Sequence, residues 1–369
     1  MNDIHVFLIS FIIFWLLVYF IGRRLLQNKY GLSIQPFFIK WESKLFRNLL
    51  YKYSRKWGRF WRTFSWMSII IGFGLTCFSL IFFLWNIIRA ALFYERVSSA
   101  TLVIPGVTLK LYWLPYFLIA VVITVLLHES AHGIIALSED VNIKSAGMLL
   151  LAFFFGGFVE PDENELKKSS IITRMKIFSA GSASNMLSGL IILLLLSGLF
   201  IQSPSGLIIL ETLEGGPLEK AGIGPWDIIY SLNDQRIHTL QDLADFMSNI
   251  RPGERIVVRT GRGDFTVIAM PSPGGGQRAI IGLVSSLPYY PSKLGLGYIF
   301  DTHLYLTLNW LFIVLVSVAI FNMLPIPYLD GDRLLQCSLE KFPKGIILKR
   351  FFNMLSIFLL VANIMLSSI

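Results

Sequence analysis

Six long apolar runs constrain this chain more than any other feature. They are Ile4–Ile21, Met67–Ile88, about Leu114–Leu137, about Ile177–Phe200, Tyr305–Leu324 and Phe352–Leu366. A helix needs about 20 apolar residues to cross the hydrocarbon core of a bilayer, and a soluble domain has no use for six such stretches. Composition agrees: 54% of the residues are hydrophobic and 15% charged, against about 25% charged in soluble domains. Ordinary soluble enzymes, disordered chains and collagenous repeats are excluded. A polytopic α-helical membrane protein with about six transmembrane helices is expected. The first run lacks a preceding basic segment and a small-residue cleavage site, so it is read as a span and not as a signal peptide. Two cysteines, Cys77 and Cys337, supply neither a disulfide framework nor a Cys-based metal site.

The net charge of +9 has one main source. Residues 23–62 carry eleven Lys/Arg and one acid, Glu42. Because basic loops stay on the cytoplasmic side, this segment is placed in the cytoplasm and the N-terminus outside. Alternation then puts 89–113 and 201–304 outside, and 138–176 and 325–351 inside. Trp41, Trp57 and Trp61 among the charges indicate an amphipathic stretch lying at the interface. The bilayer explains this basicity, and no nucleic-acid partner is required. A multi-pass protein of the cell membrane is expected.

Ala146–Val159 is apolar but only 14 residues long, with Gly156-Gly157 near its end, which suits a re-entrant or interfacial segment. The outer block contains a small soluble α+β domain. Its expected strands are Leu207–Leu213 and Asp227–Leu232, the second followed by an Asn233-Asp234 turn. A short helix, Leu218–Ala221, lies between them and is ended by Gly222. Thr239 and Asp242 have capping-box spacing, ahead of Leu240, Leu243, Met247 and Ile250 on one helical face. Arg255–Thr260 and Phe265–Met270 make a hairpin, and Pro271–Gln277 is a loop.

The third run contains His128-Glu129-Ser130-Ala131-His132. Histidines at i and i+4 share one helix face, so both imidazoles reach a single ion. Glu129 lies one residue further round, where it can take a proton from a bound water. Ionisable groups at membrane depth are costly and mark function. Catalytic zinc usually has a third protein ligand. Glu160, Glu163 and Glu165 are candidates, but they sit in a hydrophilic run and suit solvated loop acids better. Asp330 follows the fifth span in NMLPIPYLDG, where Pro325 and Pro327 end the helix and Gly331 permits a turn. By the expected topology Asp330 lies on the same cytoplasmic side as His128 and His132, so ligand count and depth select it. His5, His238 and His303 are read as non-ligands.

HESAH within a span, NMLPIPYLDG after a later one, and AGSASN between them resemble the site-2 protease family of intramembrane zinc metalloproteases. The resemblance runs from about Leu111 to Leu335. It implies that His128, His132 and Asp330 hold one zinc ion per chain and that Glu129 is the general base. Asn185 and Asn322 would be polar active-site groups that stabilise the oxyanion. Ser182 stands where the family usually has Pro. The resemblance also implies a membrane β-hairpin at Ala146–Val159 and a PDZ-like fold for the outer domain, in which Gly224-Pro225-Trp226-Asp227 replaces the common Gly-Asp. The expected organisation is an N-terminal two-span region (1–110), the first half of a metalloprotease core (111–203), the PDZ-like extracytoplasmic domain (204–290), and the second half of the core (291–369). The implied activity is zinc-dependent endopeptidase cleavage of transmembrane segments, on single-span substrates already trimmed by another protease. A non-catalytic membrane scaffold and, less favoured, a metal transporter are the alternatives; the intact Glu129 argues against the first.

Overall fold

The computed structural model describes residues 3–27, 31–93, 103, 108–152, 154–272 and 278–367. In chain order the elements begin with α1 (Asp3–Leu17), which continues through a π turn (Val18–Gly22) into α2 (Arg23–Leu26). They continue with β1 (Leu32–Gln35), β2 (Phe38–Glu42), α3 (Lys44–Lys56), α4 (Gly58–Phe93), α5 (Leu114–Ser138), β3 (Ile143–Leu151), β4 (Phe154–Pro161), α6 (Glu163–Lys168) and α7 (Ile171–Leu199). Next come β5 (Leu207–Thr212), α8 (Pro217–Lys220), β6 (Ile228–Leu232), β7 (Gln235–Arg236), α9 (Leu240–Ser248), β8 (Arg255–Thr260) and β9 (Gly263–Ile268). The last are β10 (Met270–Pro271), β11 (Ala279–Ile280), β12 (Leu283–Pro288), α10 (Tyr298–Asn322), α11 (Asp330–Leu339) and α12 (Gly345–Ser367).

Among the described residues, six helical stretches are long and apolar enough to cross a membrane: His5–Leu25, Gly58–Phe93, Leu111–Ser138, Ile171–Leu199, Tyr298–Asn322 and Gly345–Leu366. They match the six apolar runs. The second to sixth all start earlier than those runs, with Gly58, Tyr298 and Gly345 in place of Met67, Tyr305 and Phe352 as the largest extensions. Hydropathy marks only the lipid-facing length, whereas Arg59, Arg62, Lys349 and Arg350 are good helix formers that carry the backbone past it.

The chain divides into two compact units, one made of Met1–Ile191 with Trp310–Ile369 and the other of Ile192–Asn309. In the first unit, lipid offers no hydrophobic drive between helices, so small and polar residues lock them together. A Cβ added to Gly72 of α4 would sit 2.8 Å from the Ser179 Cβ of α7. The Ser68 and Ser179 hydroxyls on these two helices meet at 3.0 Å. Lys176 of α7 reaches Glu139, just past α5, at 2.7 Å. Asn363 of α12 donates to the Phe83 carbonyl of α4 at 2.9 Å.

The apolar stretch Ala146–Val159 forms a hairpin, β3 and β4, with Met148 opposite Gly157. The basic segment departs from expectation. Its α3 part is amphipathic, but residues 32–42 form a second hairpin that adds to the first, with Trp41 opposite Met148. The resulting antiparallel sheet has the order β1-β2-β3-β4, which leaves β4 at an edge. The two added strands are too short and too mixed in charge to show a period-two pattern. Gly147 admits them, because a Cβ there would overlap the Trp41 carbonyl. Trp15 of α1 donates from Nε1 to the Ala152 carbonyl at the β3–β4 turn, 3.1 Å. Its ring also lies 5.6 Å from that of Phe37 at the β1–β2 turn. Both hairpin tips are therefore tied to α1.

The second unit holds an antiparallel sheet in the order β12-β5-β6-β8-β9, with β7 paired to β6. Leu207, Ile209, Leu218, Ile229, Ile256 and Val258 are among its buried core residues. The strand and helix order follows the sequence expectation closely. Thr239 and Asp242 form the capping box of α9, and Asn233 and Asp234 both adopt positive φ in their turn. Arg262 clamps the loop before β6, donating from Nε to Asp227 at 2.7 Å. Of the expected Pro271–Gln277 loop, residues 273–277 lie outside the described residues, and Pro271 belongs to β10, which pairs with β11.

Candidate active site

α5 starts with Pro115 in its first turn, runs apolar, and ends as Asp140 turns to φ +60°. His128 and His132 fall within its last three turns and face α7. Three residues of α7, spaced four apart, receive them. The Ile177 carbonyl lies 2.6 Å from Nδ1 of His132, and the Asn185 amide 3.2 Å from Nδ1 of His128. Gly181, between these two, has no side chain where the rings pass. A Cβ on it would overlap Nε2 of His132 and lie 2.6 Å from Cε1 of His128.

Asp330 arrives from a different part of the fold, as the first residue of α11. Gly331 is required beside it, since a Cβ there would overlap the Met323 carbonyl. Asp332, one residue further on, is buried and takes Lys349 at 3.1 Å and the Asn353 amide at 3.0 Å, which fastens α11 to α12. With this helix fixed, Oδ2 of Asp330 stands 3.1 Å from Nε2 of His128 and 3.2 Å from Nε2 of His132. The two Nε2 atoms are themselves 3.1 Å apart.

For both Nε2 atoms to hold a metal beside the Asp330 carboxylate, each ring must carry its proton on Nδ1. His132 donates that proton to Ile177. The Asn185 amide nitrogen is the atom placed nearest Nδ1 of His128; amide orientation is an assignment, and a protonated Nδ1 requires the flipped one, with the oxygen accepting. Backbone and side-chain acceptors of this kind fix the tautomer and aim the second nitrogen at a metal.

The donor set fits a zinc ion. A tetrahedral site with bonds of about 2.0–2.1 Å keeps its donors about 3.3 Å apart, close to the 3.1–3.2 Å found. Two neutral imidazoles and one carboxylate are also the mixed nitrogen–oxygen set zinc takes at catalytic sites. These three are the group among the described residues whose donor atoms all lie within 4.8 Å of one another. The rejected acids are occupied elsewhere. Glu160 meets Lys40 at 3.3 Å and takes the Ser145 hydroxyl, which is the largest cause holding its carboxyl below the ordinary range. Glu163 pairs with Lys167, and Glu165 accepts from Asn142.

A cavity of about 310 Å³ opens onto the cluster, lined by His128, Glu129, His132, Asn322 and Asp330 together with Gly157, Phe158, Val159 and Tyr328. Glu129 lies along β4; a Cβ on Gly157 would come within 2.8 Å of its Cγ. Asn322, at the end of α10, brings its amide nitrogen 3.4 Å from Nε2 of His128. Asn185 does not line the cavity. It is fully buried behind His128. Sequence reasoning missed the Ile177 carbonyl and Tyr328, whereas Gly157 belongs to the segment it had marked, in the Gly pair near the end of the 146–159 run.

Six spans around a His, His, carboxylate cluster with an adjacent glutamate are the arrangement of a membrane metalloprotease. The profile of Peptidase family M50 matches residues 116–366, and the chain belongs to that family. It is 31% identical over 348 residues to an uncharacterized protein of Methanocaldococcus jannaschii, covering 90% of this chain and 84% of the relative. It is 28% identical over 182 residues to the membrane-bound transcription factor site-2 protease homolog of Arabidopsis thaliana, covering 47% of this chain and 35% of that one. A shorter match, 36% over 64 residues, is to a probable periplasmic serine endoprotease DegP-like of Ectopseudomonas mendocina, 14% of whose length it covers.

Proposed function

We propose that the chain is a zinc-dependent intramembrane endopeptidase that cleaves transmembrane segments of single-span, membrane-anchored proteins. The observation that carries this reading is the triangle of His128, His132 and Asp330 donors, 3.1–3.2 Å on a side, opening on the cavity that Glu129 lines. His128, His132 and Asp330 would hold the zinc ion, which would supply Lewis-acid polarisation of the scissile carbonyl and a water acidified to a pKa of about 7. Glu129 takes the proton of the attacking water and returns it to the leaving amine nitrogen. Asn322 faces the same cavity and donates its amide N–H to the carbonyl oxygen as negative charge develops. Asn185 and the Ile177 carbonyl hold the rings from behind and touch no substrate.

A helical substrate hides its amides, so it must unwind before attack. The free edge of β4 supports pairing with the unwound segment by strand addition. The positive-inside rule applied to the basic segment supports a topology with this site toward the cytoplasm and residues 204–290 outside. The central test is chelation of the purified chain in a bilayer with a single-span substrate. Removing metal should abolish cleavage and adding zinc should restore it. Cleavage that survives complete zinc removal rejects the reading, and zinc without cleavage of any substrate favours the scaffold.

The PDZ-like reading of residues 204–290 gives it one of two roles. As a size gate it admits only substrates trimmed outside, and deleting it should allow untrimmed substrates to be cut. As a recruiter of new C-termini, its deletion should instead remove activity toward trimmed ones. Comparing both substrates with the deleted and full chains separates the roles.

A further inference from the structure

Immediately before Asp330, the chain adopts a conformation that the residue in it disfavours. Ile326-Pro327-Tyr328-Leu329 is closed by a hydrogen bond from the Leu329 N–H to the Ile326 carbonyl, 3.1 Å. Pro327 holds the second position and Tyr328 the third, with φ +77°. This is the pattern of a type II turn, whose third position favours Gly because a Cβ at positive φ is strained. A bulky aromatic residue there is a backbone outlier.

No contact of the Tyr328 side chain among the described residues offsets that strain. Tyr328 is 91% exposed, the most exposed large hydrophobic side chain among the described residues. Its hydroxyl and ring have no hydrogen-bond, aromatic or cation partner among the described residues. A side chain retained for packing would be buried. This one is held out from the backbone by the turn, at the lining of the cavity that contains His128, Glu129 and Asp330. Strained conformations with no structural return cluster at sites where the strain serves binding. A tyrosine ring suits such a place, since it presents a large apolar face while ordering only two torsions.

We propose that Tyr328 is a substrate-binding residue whose ring packs over the unwound, apolar segment of the substrate beside the scissile bond. Gly157, Phe158 and Val159 of β4 line the same cavity, and strand addition at this edge would pair them with the backbone of that segment. The two contacts are complementary: strand addition is blind to side chains, and the ring reads them. The inference rests on the peptidase reading above.

The test uses the full chain in bilayer nanodiscs with a labelled single-span peptide. KM and kcat are measured with Glu129 intact, and Kd in the Glu129→Gln background, where no turnover intervenes. Tyr328→Gly relieves the turn and removes the ring. Its thermal midpoint should rise, its KM and Kd should rise about tenfold, and its kcat and zinc content should stay within about twofold of the parent. Tyr328→Phe restores the ring alone and should bring KM back to within about threefold. If Tyr328→Gly does not fold, Tyr328→Asn, which tolerates positive φ, takes its place. Unchanged Kd overturns the proposal. So does loss of zinc with Kd unchanged, which would make Tyr328 a prop for the Asp330 loop. A wild-type chain whose binding depends on Tyr328 but that cleaves nothing rejects the peptidase reading alone.

Discussion

Glu129→Gln is expected to lower kcat by about a thousandfold while the chain still holds one zinc ion, because a positioned general base contributes about 10²–10⁴. Gln keeps the size of Glu and its packing against Gly157, where the side-chain stem has little spare room. It differs in one respect that matters: an amide cannot accept the proton of the attacking water or pass it on. The metal should be unaffected, since Glu129 is outside the group formed by His128, His132 and Asp330. Zinc content by elemental analysis and cleavage of a single-span substrate are therefore read on the same preparation. Equal turnover by the two proteins would remove Glu129 from the mechanism. A parallel loss of zinc would instead make it a ligand.

How much of this was legible in the sequence depends on the range of the interaction concerned. His128 and His132 announce themselves because helical spacing alone places them on one face, and no tertiary knowledge is needed. Asp330 is 198 residues beyond His132, yet ligand count and membrane side were enough to single it out from Glu160, Glu163 and Glu165. The sheet was only half visible. Ala146–Val159 stands out as an apolar stretch too short to span, whereas β1 and β2 are hidden among basic residues and exist only because β3 offers an edge. The supports of the site were the least legible. A backbone carbonyl such as that of Ile177 carries no side-chain signature. Asn185 looks like a cavity residue in the sequence and lies behind a ring in the structure. Tyr328 is an ordinary letter until its φ is known.

Gly181→Ala tests those supports at the point of least tolerance. In helix propensity the change is favourable by about 1 kcal/mol, so a defect cannot be assigned to the helix. The new methyl group would overlap Nε2 of His132 and stand 2.6 and 2.7 Å from Cε1 and Nε2 of His128. Neither ring has an easy retreat. His132 is tied through Nδ1 to Ile177 and His128 to Asn185, so moving either ring away from the methyl leaves a buried polar group unpaired, at a cost of about 1–3 kcal/mol. Losing even one such support typically weakens metal binding by about 10–100-fold, and here both are strained together. Zinc affinity should therefore fall at least about 100-fold, and cleavage with it, in competition against a chromophoric chelator. Gly198→Ala is the matched control on the same helix, because a Cβ there meets nothing within 4 Å. It should bind zinc like the parent. If Gly181→Ala did so too, the ion would not be held where the two Nε2 atoms converge, and Asp330 would need another role.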